Sequence, residues 1–495
     1  MNLSVNTALR DFGEVANKAC EDELKQLFRE KRALVPVRWE NLNEKQRRQI
    51  VKSHMFLKEK FEDGSFVKLK ARLVADGWTQ DRSLYSDYSS PTAKTRSVMT
   101  CLKLAAVKRW DCMKVDIAGA FLCAKIDEHE EVFLQLDRKM TELAVRYMPE
   151  LEDWVRREDQ TMFVRVDKAM YGLIQSPKLW YKELTQCLLS HGFKICKSDK
   201  CILHKKTQAG QDIILILYVD DILIMSGDRE TRLWVRDILE QKYKKITFEE
   251  STKFTYLGMV LTRNECGFDV SMRSYVDDIL EMYGLDVKEC VTPSKMNLFV
   301  INPSSLLGKR ERELFHSTVA KLLYLGKRGR PDILLSVQFL CTRVKAPTCE
   351  DQRKLERVRG YVKFSKNWSR TIDDSKFERV ETYIDASFAM HEDGKSQSGC
   401  MIFLGNTLVH EGCRKQKLIT KNSTEAELVA LSDYVLEGEL IEDFLMDLGH
   451  LMDDDLVTNV HHVYQDNTST IAVDTTGGSK PRSKYMKVRE EYIKE

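Results

Sequence analysis

The sequence predicts an α+β multidomain protein, and three observations carry that reading. A chain of 495 residues exceeds what one hydrophobic core organises, so about three domains are expected. Residues 211–226, QDIILILYVDDILIMS, read as a strand, a tight turn and a second strand. From about residue 380 the order strand, strand, helix, strand, helix describes a further mixed α/β unit.

Composition narrows the class. Hydrophobic residues make up 43% and charged residues 31%, the mix of a globular enzyme, and no run of about 18 uncharged apolar residues offers a membrane span. The N-terminus, MNLSVNTALRDFGEVANK, lacks the apolar core and small-residue cleavage site of a secretory signal. The 13 cysteines are therefore expected to stay reduced, and none falls in a CxxC pair. Cys196, Cys201 and His204 come nearest to a metal cluster but lack a fourth ligand. The net charge of +2 hides an uneven distribution. Lys and Arg outnumber Asp and Glu by 9 to 4 over residues 41–72 and by 13 to 4 over 320–370, whereas residues 421–460 carry 1 against 11. Basic stretches attract phosphate backbones without reading sequence.

Along the chain, CMKVDIAGAFLCAKI reads as a strand whose end, at Asp116, turns tightly into a helix; Ala118, Gly119 and Ala120 leave room for a large substrate near the backbone. In the 211–226 hairpin, Asp220 and Asp221 stand between two apolar flanks, which is costly unless a cation compensates them. A divalent metal does so. Neighbouring side chains of an extended backbone point to opposite faces, so one carboxylate is expected to be the principal ligand and the other supporting. The same YVDD recurs at residues 275–278, but Val276, Ile279, Leu280 and Tyr283 follow helical spacing there, with Asp277, Asp278 and Glu281 on the other face, which predicts a solvated helix surface. Past residue 380, Asp385 lies near the end of the strand in ERVETYIDASFAM, and Asp466 follows the strand in HHVYQDNTSTIAV. Between them Glu427 closes Thr424-Glu425-Ala426-Glu427, a capping-box pattern, and Asp466 is placed where a helix N-cap would be.

Five blocks taken together resemble one family. KLKARLVADGWTQ (68–80), KVDIAGAFL, MYGLIQSPKLWYKEL (170–184), YVDDILIM and FHSTVAKLLYLGKRGRPDILLSVQFL (315–340) are similar, in collinear order over roughly residues 55–495, to the reverse transcriptase and ribonuclease H region of the copia-type long-terminal-repeat retrotransposon Pol polyprotein. Residues 1–50 carry no such match. The resemblance implies a right-hand polymerase fold of palm, fingers and thumb followed by a ribonuclease H-like α/β domain. The implied divisions are an N-terminal segment of unassigned role (1–50), fingers and palm (51–260), a helical thumb/connection-like region (261–378) and the ribonuclease H-like domain (379–495). It implies RNA-directed DNA polymerase activity with two Mg2+ (or Mn2+) ions per active site. The partners would be an RNA template, a DNA primer, an RNA–DNA hybrid and deoxynucleoside triphosphates, with no membrane, in the cytoplasm within a virus-like particle or in the nucleus and not secreted.

By matching position, Asp116, Asp220 and Asp221 would be the polymerase carboxylates and metal ligands. Lys70 and Arg72 would hold the triphosphate, Phe121 would lie under the sugar and exclude a 2′-hydroxyl, Gln175 and Pro177 would shape the nucleotide and template pocket, and Tyr218 would join the substrate-binding set. Asp385, Glu427 and Asp466 would be ribonuclease H ligands. One departure stands out: RSKYMKVREEYIKE has Tyr485, Met486 and Lys487 where the family usually places His, a hydrophobic residue and the fourth carboxylate. A lysine there repels a second metal, so nuclease activity is expected to be weak or lost while the fold persists. The competing expectation for the whole chain is a folded, nucleic-acid-binding remnant that no longer copies anything.

Overall fold

In the computed structural model, residues 2–62, 65–85, 87–127, 129–284, 286–449, 460–471 and 489 are described, and they form four sheets. The first is built on the long antiparallel pair Val51–Glu62 and Ser65–Ala75. Two strands from the first 50 residues belong to it: Asn2–Ser4 pairs with Val51–Glu62, and Leu34–Val37 pairs with Thr161–Val166. Between these strands the helix Val5–Lys25, capped by Ser4 accepting from the Thr7 amide, buries Ala8, Ala16, Cys20 and Leu24 against strand Ser65–Ala75.

The second sheet runs in the order Ile246–Glu249, Asp111–Ile117, Asp221–Ser226, Asp212–Tyr218, Ile202–Lys206, Lys194–Ile195, antiparallel throughout. Both faces are covered, which explains the unbroken apolar runs around Asp220 and Asp221. Ile214, Ile216, Leu223 and Met225 pack on the side of helix Thr95–Val107. Ile213, Leu215, Leu217, Ile222 and Ile224 pack on the side of helices Ser176–Ser190 and Arg229–Tyr243.

The region expected to be helical over 261–378 is only partly so. Helices Arg273–Glu281, Lys309–Gly326, Leu334–Cys341 and Cys349–Phe364 are joined by a four-stranded sheet of Lys253–Tyr256, Met259–Asn264, Gly267–Ser271 and Arg370–Asp373, which begins before residue 260. Period-two alternation drives this: Met259 and Leu261, then Phe268 and Val270, are buried on one face. The second YVDD lies on helix Arg273–Glu281 with Val276, Ile279 and Leu280 buried and Asp277 3.7 Å from Lys366, as its spacing predicts.

The fourth sheet orders Thr407–Lys415, Gln397–Leu404, Val380–Ser387 and His461–Tyr464, the last pair parallel and the others antiparallel. Helix Ser423–Asp447 packs on it so closely that a Cβ at Gly438 would meet Thr382 Oγ1 at 2.7 Å. Part of the acid excess in 421–460 serves docking onto the second sheet's unit. Glu437 pairs with Arg96 on helix Thr95–Val107, and Asp447 accepts from the Ser198 amide at 2.9 Å and hydroxyl at 2.8 Å and from Cys196 Sγ at 3.3 Å. Burial pushes the Cys196 and Cys201 thiols up to about 12. Among the described residues no helix is long and apolar enough to cross a membrane.

Candidate active sites

Asp116 sits one residue from the end of strand Asp111–Ile117 and directly opposite Asp221, so the two side chains share a face. The expected helix after Asp116 is only a 3-10 turn, Ala120–Cys123, entered through Gly119 at φ +66. Register pairs Tyr218 with Asp221 and leaves Val219 and Asp220 alone in the turn. Val219 takes φ +58, a sparsely populated conformation for a β-branched residue. The buried Trp180 holds it there: its Nε1 donates to the Val219 carbonyl at 2.6 Å. The Ile117 amide donates to the Asp220 carbonyl at 3.2 Å.

The two adjacent acids are unequal. Asp221 lies 3.2 Å from Lys114 Nζ. Asp220 is pushed above the usual carboxylate range by burial and by the charges of Asp116 and Asp221, against which Arg72 works. The oxygens of Asp116, Asp220 and Asp221 are not gathered within 4.8 Å of one another, unlike those of the second site below. Excess, partly buried negative charge of this kind suits a divalent cation.

Facing these acids is a cationic surface. Lys70 and Arg72 alternate along strand Ser65–Ala75, and Lys58 stands opposite Lys70 with Lys60 opposite Lys68. Lys60 is held below its ordinary range by burial and by Lys58, Lys70 and Arg72, while Asp116 works the other way, which places that carboxylate within electrostatic reach. The Arg72 guanidinium lies 4.5 Å over the Tyr171 ring, and its Nε is buried without a partner. Tyr171 in turn meets Phe121 edge-on at 5.0 Å and 76°. Burial pushes the Tyr171 hydroxyl up, with Arg72 opposing and Asp220 and Asp116 adding to it.

Tyr171 was not among the residues singled out from sequence, although it stands in the MYGL block. What places it is a contact between two distant segments. The Ala75 amide donates to the Tyr171 carbonyl at 2.9 Å, Gly172 takes φ +94, and a Cβ on Gly172 would lie 2.0 Å from the Ala75 oxygen. Glu23 was missed as well, lying in the N-terminal segment to which the sequence assigns no role. Its Oε1 accepts from the Leu73 amide at 3.0 Å, next to Arg72 in the strand. Burial raises Glu23 above its ordinary value, opposed by that hydrogen bond and by Lys70 and Arg72.

Gln175 is placed differently from expectation. It is buried, and its amide is taken up by Glu130 Oε2 at 3.3 Å, the Tyr85 hydroxyl at 3.5 Å and Gln80 Nε2 at 3.2 Å. It therefore ties the 68–80 block to the 170–184 block instead of opening to a pocket, and Pro177 forms the first turn of helix Ser176–Ser190. Tyr218 is half-buried opposite Asp221.

In the fourth sheet the parallel register pairs Tyr383 with Tyr464, so two residues further on Asp385 comes beside Asp466. Glu427 reaches them from the first turns of helix Ser423–Asp447. The capping duties fall to neighbours: Asn422 accepts from the Glu425 amide at 2.8 Å, and Asn467 accepts from the Thr470 amide at 2.9 Å. Glu427 and Asp466 are thereby left for one another, and ligand atoms of Asp385, Glu427 and Asp466 all lie within 4.8 Å. Glu427, only 5% exposed, is pushed up to about 7 by burial, with Asp385 and Asp466 adding and hydrogen bonds from Gln465 and the Ala386 backbone opposing. Three converging carboxylates, one buried, match the hard oxygen donors a divalent cation takes. Lys487 lies outside the described residues.

Comparison with known proteins identifies the family. The family described as reverse transcriptase (RNA-dependent DNA polymerase) matches residues 39–296. The chain is 29% identical over 403 residues to the retrovirus-related Pol polyprotein from transposon RE1 of Arabidopsis thaliana and 30% identical over 401 residues to that from transposon RE2, in each case across 80% of this chain and 26% of the relative. To the Pol polyprotein from transposon TNT 1-94 of Nicotiana tabacum it is 25% identical over 449 residues, 89% of this chain and 32% of the relative. The chain thus spans about a quarter to a third of these polyproteins. In fold it is similar to a foamy viral protease-reverse transcriptase solved in complex with double-stranded DNA, at a TM-score of 0.52 and 12% identity, covering 96% of this chain and 68% of that one. The family match over residues 39–296 of 495, with the similarity to these Pol polyproteins, establishes that the chain belongs to the reverse transcriptase family, of the copia-type retrotransposon kind.

Proposed function

We propose that the chain is an RNA-directed DNA polymerase that extends a DNA primer on an RNA template with deoxynucleoside triphosphates, using two Mg2+ or Mn2+ ions held by Asp116, Asp220 and Asp221. The observation that carries this reading is the line of contacts from Arg72 through Tyr171 to Phe121, five residues after Asp116, which brings the cationic strand to the end of the second sheet where Asp116 stands opposite Asp221. Such an arrangement receives a triphosphate between cations and carboxylates. Arg72 offers a planar fork to phosphate oxygens, and Tyr171 beneath it fixes the plane of that fork. Phe121, braced by Tyr171, bounds the space beside Asp116 where the sugar would lie. Divalent ions, when bound, activate the primer 3′-hydroxyl and neutralise charge on the phosphates. A duplex partner is supported by the foamy viral relative, whose structure holds double-stranded DNA.

The test is nucleotide incorporation on a primed RNA template in Mg2+, with Asp220→Asn as control. Extension by the natural protein and its loss in the variant are expected. Duplex binding without extension by the natural protein would establish the inactive remnant instead.

The ribonuclease H-like domain is proposed to bind a divalent cation through Asp385, Glu427 and Asp466, with hybrid cleavage weakened by Lys487. Lys487→Asp should raise cleavage of an RNA–DNA hybrid, and strong cleavage by the natural sequence refutes the weakening.

A further inference from the structure

Between loop 286–298 and helix Cys349–Phe364 lies a cavity of about 630 Å³, whose lining holds six Lys or Arg side chains against three Asp or Glu. Its cations are unusual in what they bond. Arg359 is 3% exposed, and its Nη2 donates to the carbonyls of Leu280 at 3.2 Å and Gly284 at 3.0 Å. Its Nε is buried without a partner, and Tyr283 packs 4.6 Å beneath the guanidinium. Arg357 donates from Nη2 to the Thr292 hydroxyl at 2.6 Å, and its Nε too is buried without a partner. Lys354 Nζ donates to the carbonyls of Leu298 at 2.8 Å and Val300 at 2.6 Å. Among the described residues none of these three has a carboxylate within ion-pair distance. Burial pushes Arg359 and Lys354 below their ordinary ranges. Glu356 acts on Arg359, and Asp351 and Glu350 on Lys354, only from beyond ion-pair distance; buried positive charge without a contacting counter-charge is costly, and an anion in the cavity offsets that cost.

We propose that this cavity binds a multiply charged, phosphate-bearing anion, with Arg357 and Arg359 on its wall and the exposed Lys288 and Lys295 completing the charge. Guanidinium forks match phosphate oxygens, the cationic excess favours several negative charges over one, and the volume falls in the range of small-ligand sites. The site goes beyond the polymerase reading, because it uses none of the residues of either carboxylate site and needs no divalent ion.

The full chain in EDTA is titrated calorimetrically with sodium tripolyphosphate and, separately, with a short single-stranded oligodeoxynucleotide. The variants are Arg357→Gln and the exposed pair Lys288→Gln with Lys295→Gln, each made in an Arg72→Gln background so that the fingers surface does not contribute. One-to-one binding of tripolyphosphate by the Arg72→Gln background, weakened by about tenfold or more when the cavity substitutions are added, is expected and assigns a free phosphoanion. The same pattern with the oligonucleotide alone assigns a phosphodiester strand. The exposed lysine pair leaves the buried contacts intact, so its reading stands even where Arg357→Gln disturbs loop 286–298. Binding of neither probe, or binding indifferent to the lysine pair, overturns the site.

Discussion

Replacing Lys103 with methionine should detach strand Arg370–Asp373 from helix Thr95–Val107 at a cost of about 3 kcal/mol. Lys103 is fully buried, and its ammonium donates to Asp373 Oδ1 at 2.6 Å, the Asp373 carbonyl at 2.9 Å and the Ser375 hydroxyl at 2.9 Å, so all three N–H groups are used. Burial raises Asp373 and lowers Lys103, but hydrogen bonds from Lys103, Ser375 and Thr407 prevail on the acid and hold it at about 2 against an ordinary 3.8. A depressed acid stabilises the fold above its unfolded value, by about 2 kcal/mol here, and that contribution is lost as pH falls through about 2. Truncating the lysine removes its share of this gain and leaves a carboxylate still held by Ser375 and Thr407. Breaking a fully buried pair costs about 3–5 kcal/mol, and the 26% exposure of the Asp373 side chain puts this one at the lower end. The assay is native-state hydrogen exchange of amides in Thr95–Val107 and Arg370–Asp373, expected to quicken roughly 100-fold in the variant. Adding Asp373→Asn should restore most of the loss, since no charge is then left unpaired. Exchange within about threefold of the natural protein, or a double variant no more protected than the single one, refutes the coupling.

Arg72→Lys keeps the charge but loses the Tyr171 stack and the fork, so the KM for deoxynucleoside triphosphate should rise by about tenfold in steady-state incorporation with a smaller change in kcat. Trp180→Phe leaves the Val219 carbonyl without its donor, at about 1–3 kcal/mol, and should slow single-turnover incorporation while the affinity for primed template stays unchanged. Glu427 is a raised acid, so the folded state holds a proton that the unfolded state releases. Stability in EDTA should therefore fall as pH rises from about 4.5 through about 7, by about 3 kcal/mol in all, and Glu427→Gln should flatten the urea midpoint between pH 5 and pH 8. A profile unchanged by that substitution counts against the burial of this carboxylate.

Several features were legible because one segment carries them entire. Apolar residues on both sides of Asp220 and Asp221 announce a strand pair covered on two faces, and the spacing of Val276, Ile279 and Leu280 separates the second YVDD from the first. Alternation in 380–404 and 461–464, with a long helix between, announces the fourth sheet. Local periodicity records which face of a segment meets the core, and that much is determined by the order of residues alone. Partnership between segments is not recorded locally. That Asp116 stands opposite Asp221, that Asn422 and Asn467 take the caps and leave Glu427 and Asp466 to converge, and that Gln175 turns inward to Gln80 are outcomes of register and packing. Glu23 reaches the Leu73 amide, and Tyr171 lies beneath Arg72, across chain separations that no local pattern spans. The residue order thus determined the elements and their chemistry. The tertiary structure decided which carboxylates and cations share a site, because two charges far apart in the chain meet only when the strands that carry them are paired by a buried core.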